Sequence, residues 1–165
     1  LNFPVRHAVP FENRSFTGLC LAAGLWALLL STAPLSAAPP IVLGGLGGGQ
    51  WSEAELERGT TIVVVWASWS PRCRDIVPRV NALDRRWASQ ARIVTVVFQE
   101  EPAKIERFLA GQSLRAPVYL DAAGDFSKKH AVTTLPGLLV FKGGQRLYDG
   151  KLPPDADSLL ERLLD

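Results

Sequence analysis

The sequence predicts a single α/β domain whose mixed central sheet is flanked by helices. Three observations carry this. From Trp51 onward, apolar runs of strand type alternate with segments of helical spacing. One of the runs, Thr61–Ala67, is continuously apolar after its first residue, as in a strand buried on both faces, and Ala91–Phe98 reads as a second buried strand. Near the C-terminus, Leu138–Phe141 leads through Gly143-Gly144 into Arg146–Tyr148, a hairpin that adds antiparallel pairing to the sheet.

The first 38 residues have the order of an export segment. Arg6 and Arg14 precede a mostly apolar stretch from Phe16 to Ala33, and the small residues Ser36, Ala37 and Ala38 follow. That order predicts a secretory signal peptide, or an uncleaved membrane anchor, since the stretch approaches the ~18–20 residues that span a bilayer. Cys20 lies inside it and reads as a small apolar residue. Residues 39–50 carry Pro39-Pro40 and five glycines between Gly44 and Gly49. Glycine loses the most backbone entropy on ordering, so these residues predict a Gly/Pro-rich linker. A phosphate-cradling loop would need a following Lys-Ser or Lys-Thr, which is absent. The folded domain is then expected over residues 51–165.

Within it the elements follow in turn. Ser52 and Glu55 have capping-box spacing and open a short helix over 52–56. The strand 61–67 leads to a helix from Pro71 to about Ser89, with Ile76, Val77, Val80, Leu83 and Trp87 on one face. Pro78 lies inside that pattern and predicts a kink. After the strand 91–98, Ile105, Phe108 and Leu109 mark a helix over 103–110. A short strand at 118–120 and a short helix at 125–130 precede the hairpin. Leu159, Leu160, Leu163 and Leu164 form the stripe of a closing helix.

Charge excludes one class of partner. The chain has 18 basic and 16 acidic residues, and residues 39–165 carry a net +1 with no long block of one sign. The basic footprint of a nucleic-acid binder is absent. No Cys/His cluster has metal-ligand spacing, and no cofactor is predicted.

The chemistry concentrates in Trp66-Ala67-Ser68-Trp69-Ser70-Pro71-Arg72-Cys73, followed five residues later by Pro78, and in Val132-Thr133-Thr134-Leu135-Pro136 before a strand and the Lys142-Gly143-Gly144 turn. Together these segments resemble the thioredoxin superfamily, nearest to its exported TlpA-type thiol–disulfide proteins. The likeness covers about residues 51–165 and implies a thioredoxin-like fold. It implies a cis Pro136 facing the active site, with neighbouring backbone that pairs with substrate peptide. It implies Cys73 and Ser70 as the catalytic pair of positions, and Trp69, Pro71, Arg72, Leu135 and Pro136 as substrate-binding residues. The partners it implies are protein thiols or disulfides, an extended peptide, a small thiol or peroxide. The location it implies is periplasmic or secreted, with any membrane contact made by the N-terminal segment.

The departures from the family matter as much. Ser70 stands where the attacking cysteine would be, Val64 where many members carry a buried acid, and Leu135 is bulkier than usual before the proline. Dithiol exchange needs two thiols, and this segment offers one. A serine hydroxyl cannot replace the first without a base, and the only histidines are His7 and His130. Cys73 falls in the first turn of the expected helix, with Ser70 as N-cap and Pro71 as first residue. Free amide groups there, with Arg72 and Arg74, favour a thiolate, and burial opposes it. Three roles follow. Cys73 is a single reactive thiol, its S-x-x-C spelling resembling the T-x-x-C of peroxiredoxins. Or the domain has kept only a peptide groove beside Pro136, with Trp66 and Trp69 as aromatic contacts. Or two copies join through Cys73. Elsewhere, His130 is expected on the surface at a helix end, Glu100-Glu101-Pro102 as a helix start, and Asp121 and Asp125 as caps around Gly124.

Overall fold

The continuous β-branched runs become the middle of one sheet. A computed structural model describes residues 39–164; the signal or anchor reading of residues 1–38 lies outside the described residues. The strands are β1 (Val42–Gly45), β2 (Gln50–Ser52), β3 (Thr60–Trp66), β4 (Arg92–Phe98), β5 (Val118–Asp121), β6 (Gly137–Lys142) and β7 (Gln145–Lys151). They lie in the order β2-β1-β5-β4-β3-β6-β7. The inner strands β5, β4 and β3 are parallel, and β6, β7, β1 and β2 add antiparallel pairs on either side. The helices are α1 (Ile76–Trp87), α2 (Pro102–Leu109), α3 (Asp125–Lys129) and α4 (Ala156–Leu164). The fold is thioredoxin-like, α/β, with a mixed sheet and flanking helices.

The period-2 pleat of β3 explains its unbroken apolar run. Ile62, Val64 and Trp66 face one core with Val80, Leu83 and Trp87 of α1 and Leu160 of α4. Val63 and Val65 face a second core with Trp51, Leu56 and Phe126. Both faces are covered, so no position could be polar at low cost. Trp87 Nε1 donates to Asp157 Oδ1 at 2.8 Å and pins α4 to α1.

Residues 39–50 are not a linker. Val42–Gly45 pairs with both Gln50–Ser52 and β5, and Leu43 is buried, so the sheet begins at Val42 rather than after residue 50. The glycines build the hairpin loop instead. Gly48 and Gly49 have φ of 90° and 75°, and a Cβ on Gly45 would come within 2.4 Å of the Gly48 carbonyl oxygen. Glycine density here reflects a tight turn between short strands, a geometry that only glycine enters without strain.

The helix expected from Pro71 is split. Pro71–Cys73 is a single 3-10 turn, closed by the Cys73 N–H on the Ser70 carbonyl at 2.9 Å, and α1 begins only at Ile76. Pro78 therefore sits in the first turn of α1, where a missing N–H costs nothing. It stops the helix from running back to Pro71 instead of bending it. The short helix after Ser52 is likewise 3-10, Glu53–Glu57, with the expected capping box complete. Asp121 caps α3 from β5, accepting from the N–H groups of Phe126 and Ser127 at 3.1 and 2.9 Å.

His130 is buried, contrary to its expected surface position. Its ring lies between Phe126 and Phe141, and its Nε2 is 2.8 Å from Glu53 Oε1. Lys129 Nζ and the Ile41 N–H reach Glu53 Oε2 at 2.7 and 3.1 Å. Burial pushes the His130 imidazole below its usual 6.5, although Glu53 pulls the other way. Burial would raise the Glu53 carboxyl, but the Lys129 and Ile41 hydrogen bonds and the nearby cations outweigh it and hold it below 4.5. Folded His130 thus takes up its proton at lower pH than unfolded His130. Its contribution to stability is complete above about 6.5 and is lost as pH falls from there through its folded value; Glu53 adds a loss in the same direction at lower pH. Urea unfolding is expected to show stability declining below about pH 6.5. In His130→Gln that upper part of the decline disappears. An unchanged slope in the variant would remove His130 as the cause.

Candidate functional site

The C-terminal end of β3 runs into the loop Ala67–Ser70, and β4 holds that loop in place. Just beyond β4, the buried Glu100 accepts a hydrogen bond from the Ser68 N–H at 2.8 Å and a second from the Ser68 hydroxyl. The Ser70 N–H closes the turn on the Ala67 carbonyl at 3.2 Å. Glu100 is therefore more than part of a helix start. The signal for this in the sequence is weak, since Glu101 alone is the residue before the Pro102 start of α2. Glu100→Ala leaves two Ser68 donors without their partner and is expected to destabilise the domain by about 1–3 kcal/mol in urea unfolding. A change within error would mean the loop holds its shape without the acid.

This anchoring turns Trp69 outward. It is 59% exposed, one of two large hydrophobic side chains left open among the described residues. Trp69, Ser70, Pro71 and Arg72 form one wall of a groove of about 450 Å³. Val132, Thr133, Thr134 and Leu135 form another, and Phe98 and Ser127 complete the lining. Pro136, joined to Leu135 by a cis peptide, lines an adjoining recess together with Arg72. The structure thus gathers six of the seven residues singled out in the sequence around the two recesses.

Cys73 is the exception. It is a free thiol with 0% exposure, packed in the core with Trp66, Ile76, Val77 and Leu138, and it lines neither recess. Ser70, three residues before it, lines the groove and retains 6% exposure. Ser70 occupies an N-cap position, but its hydroxyl makes no capping bond. Trp66 is also a packing residue, fully buried against Phe108 with ring centroids 5.5 Å apart. Val64 is buried at the centre of the sheet between Thr95 and Leu138. Among the described residues, no group of three His, Cys, Asp or Glu side chains is placed to hold a metal ion.

The arrangement suits binding by strand addition. The antiparallel ladders of β6 start at Gly137, so residues 133–135 belong to no strand pair among the described residues. Their backbone borders the groove beside the exposed indole. An extended segment laid there finds main-chain partners and an apolar contact together.

Residues 34–147 match the AhpC/TSA family, and the chain belongs to that family. It is 28% identical over 98 residues to the sporulation thiol-disulfide oxidoreductase A of Bacillus subtilis (strain 168). That alignment covers 57% of this chain, and the chain spans only 59% of the relative's length. Among solved structures it is similar to StoA from Bacillus subtilis, with a TM-score of 0.63 and 24% identity over 76% of this chain and 97% of that one. It is similar also to the pneumococcal exposed lipoprotein thioredoxin of Streptococcus pneumoniae strain TIGR4, with a TM-score of 0.66 and 18% identity over 75% and 97% of the two chains. At these identities the structural likeness speaks for the fold.

Proposed function

We propose that this is an exported thioredoxin-fold domain that binds extended protein segments in the groove beside Pro136, and that it has given up dithiol exchange. The observation that carries the reading is the contrast between Trp69 and Cys73: the aromatic wall of the groove is open, and the only described thiol has no surface. Exchange requires a thiolate to reach the substrate sulfur in line, and peroxide reduction requires it to meet the peroxide oxygen. Cys73 can do neither from within the core. The segments bound are of the kind that thiol–disulfide oxidoreductases handle, protein chains carrying thiols or disulfides. The apolar stretch 16–33, in the order of an export segment, supports a location outside the cytoplasm.

The test is thiol reactivity in the full chain carrying Cys20→Ser, so that only Cys73 reports. If exposure requires an opening that costs about 3 kcal/mol or more, native Cys73 is alkylated at least ~100-fold more slowly than in urea. Non-reducing electrophoresis is expected to show no dimer linked through Cys73. Labelling at the unfolded rate, together with peroxide consumption, would return the single-thiol reading and displace this one.

A further inference from the structure

The groove continues past the Leu135–Pro136 peptide, and its character changes there. The adjoining recess, about 430 Å³, shares Arg72 with the Trp69 groove and is lined further by Asp75, Arg79, Pro136, Lys151 and Leu152. Three cations face one carboxylate. Arg79 is already committed, with Nη1 3.8 Å from Asp75 Oδ1 and Nη2 donating to the carbonyls of Leu152 and Pro153, both at 3.0 Å. The nearby Asp149 of β7 is engaged by Arg146 at 3.2 Å. Arg72 and Lys151 remain. Both are exposed, and neither belongs to an ion pair among the described residues. One groove is therefore apolar and aromatic, the next is basic, and one arginine borders both.

We infer that the bound segment is acidic as well as apolar: an apolar side chain rests against Trp69, and an Asp or Glu side chain lies over Arg72 and Lys151. This rests on the groove-binding reading above and adds the ligand's charge. A carboxylate meets Arg72 as a planar fork and Lys151 as a point charge. Both contacts are solvent-exposed, so their effect is moderate and screened by salt.

The test is binding of the full chain to an array of nine-residue peptides with an apolar centre and varied flanks. At low salt, Glu-flanked peptides are expected to bind roughly five- to tenfold more tightly than their Gln counterparts, and Lys-flanked ones most weakly. The spread should narrow in high salt. In the double variant Arg72→Glu, Lys151→Glu, whose side chains are exposed, the order of Glu and Lys flanks reverses. Equal binding of all three flanks, or an order that survives the charge reversal, overturns the inference and leaves the apolar groove standing. Failure of every peptide to bind in a Trp69-dependent way overturns the groove reading itself, and the inference with it.

Discussion

Replacing Ser70 by cysteine, in a Cys20→Ser background, is expected to raise disulfide exchange sharply, because the dithiol route needs a second thiol that residues 66–73 lack. Residues 70 and 73 close one 3-10 turn through the bond from the Cys73 N–H to the Ser70 carbonyl. A rise of about 2.0 Å per residue puts their Cα atoms about 6 Å apart, inside the span of ~4.4–6.8 Å that a disulfide bridges. The new sulfur would stand at the groove, where the Ser70 hydroxyl is now, and Cys73 would lie behind it as the resolving thiol. The introduced thiolate attacks a substrate disulfide and forms a mixed disulfide, and the departing sulfur takes a proton. Cys73 then loses its proton and attacks the introduced sulfur. The substrate leaves as a dithiol, and the domain is left oxidised, with a disulfide joining positions 70 and 73. The second attack is intramolecular, so insulin reduction with a thiol donor should rise by roughly a hundredfold or more over the parent chain. Oxidation should also remove two titratable thiols per chain. A variant that forms the disulfide and still turns over no substrate would show that the groove does not present disulfides to residue 70. The proposal that the groove takes up chains carrying disulfides would then fail.

The parts of the structure that are legible in the sequence are those set by local periodicity. The apolar runs at 61–67 and 93–98, the second broken only by Thr95, mark the buried centre, because a strand covered on both faces has no regular polar alternation. The Gly143-Gly144 turn marks the mixed sheet. The segment from Trp66 to Cys73 and the one before Pro136 mark the site, although they lie more than fifty residues apart and meet only because β3 and β6 are antiparallel neighbours. What cannot be read depends on partners distant in sequence. β1 is four residues long and two of them are glycine, so nothing in its composition distinguishes a strand from a spacer; pairing with β2 and β5 decides it. Glu53 and His130 are 77 residues apart, and each alone looks like a surface group. Glu100 reads as part of an acidic helix start until the fold sets it beside Ser68. The burial of Cys73 belongs to the same class. First-turn position and core packing push its chemistry in opposite directions, and only the packed structure shows that no surface remains.

The groove-binding proposal makes recognition and thiol chemistry separable, and two truncations at the site test that. Trp69→Ala removes the exposed indole from the wall of the groove. Aromatic side chains at the centre of an interface commonly cost ~2 kcal/mol or more on truncation, so affinity for an apolar-centred peptide should fall about 30-fold. Because the side chain is largely solvent-exposed, the domain should keep its unfolding midpoint. Cys73→Ala is expected to do the reverse. It takes a small apolar group out of a packed core and lowers stability by about 1 kcal/mol, and it leaves peptide affinity unchanged within about twofold. Binding by fluorescence anisotropy and stability by urea unfolding, measured on both variants, give four values. If Cys73→Ala abolished capture while Trp69→Ala did not, the contact with partner would be the sulfur, reached by opening of the 3-10 turn at Pro71–Cys73. The opposite pattern follows from a domain whose substrate groove has outlasted its chemistry: the indole, the unpaired backbone at 133–135 and the cations beside Pro136 hold the partner, and the remaining cysteine holds the turn beneath them.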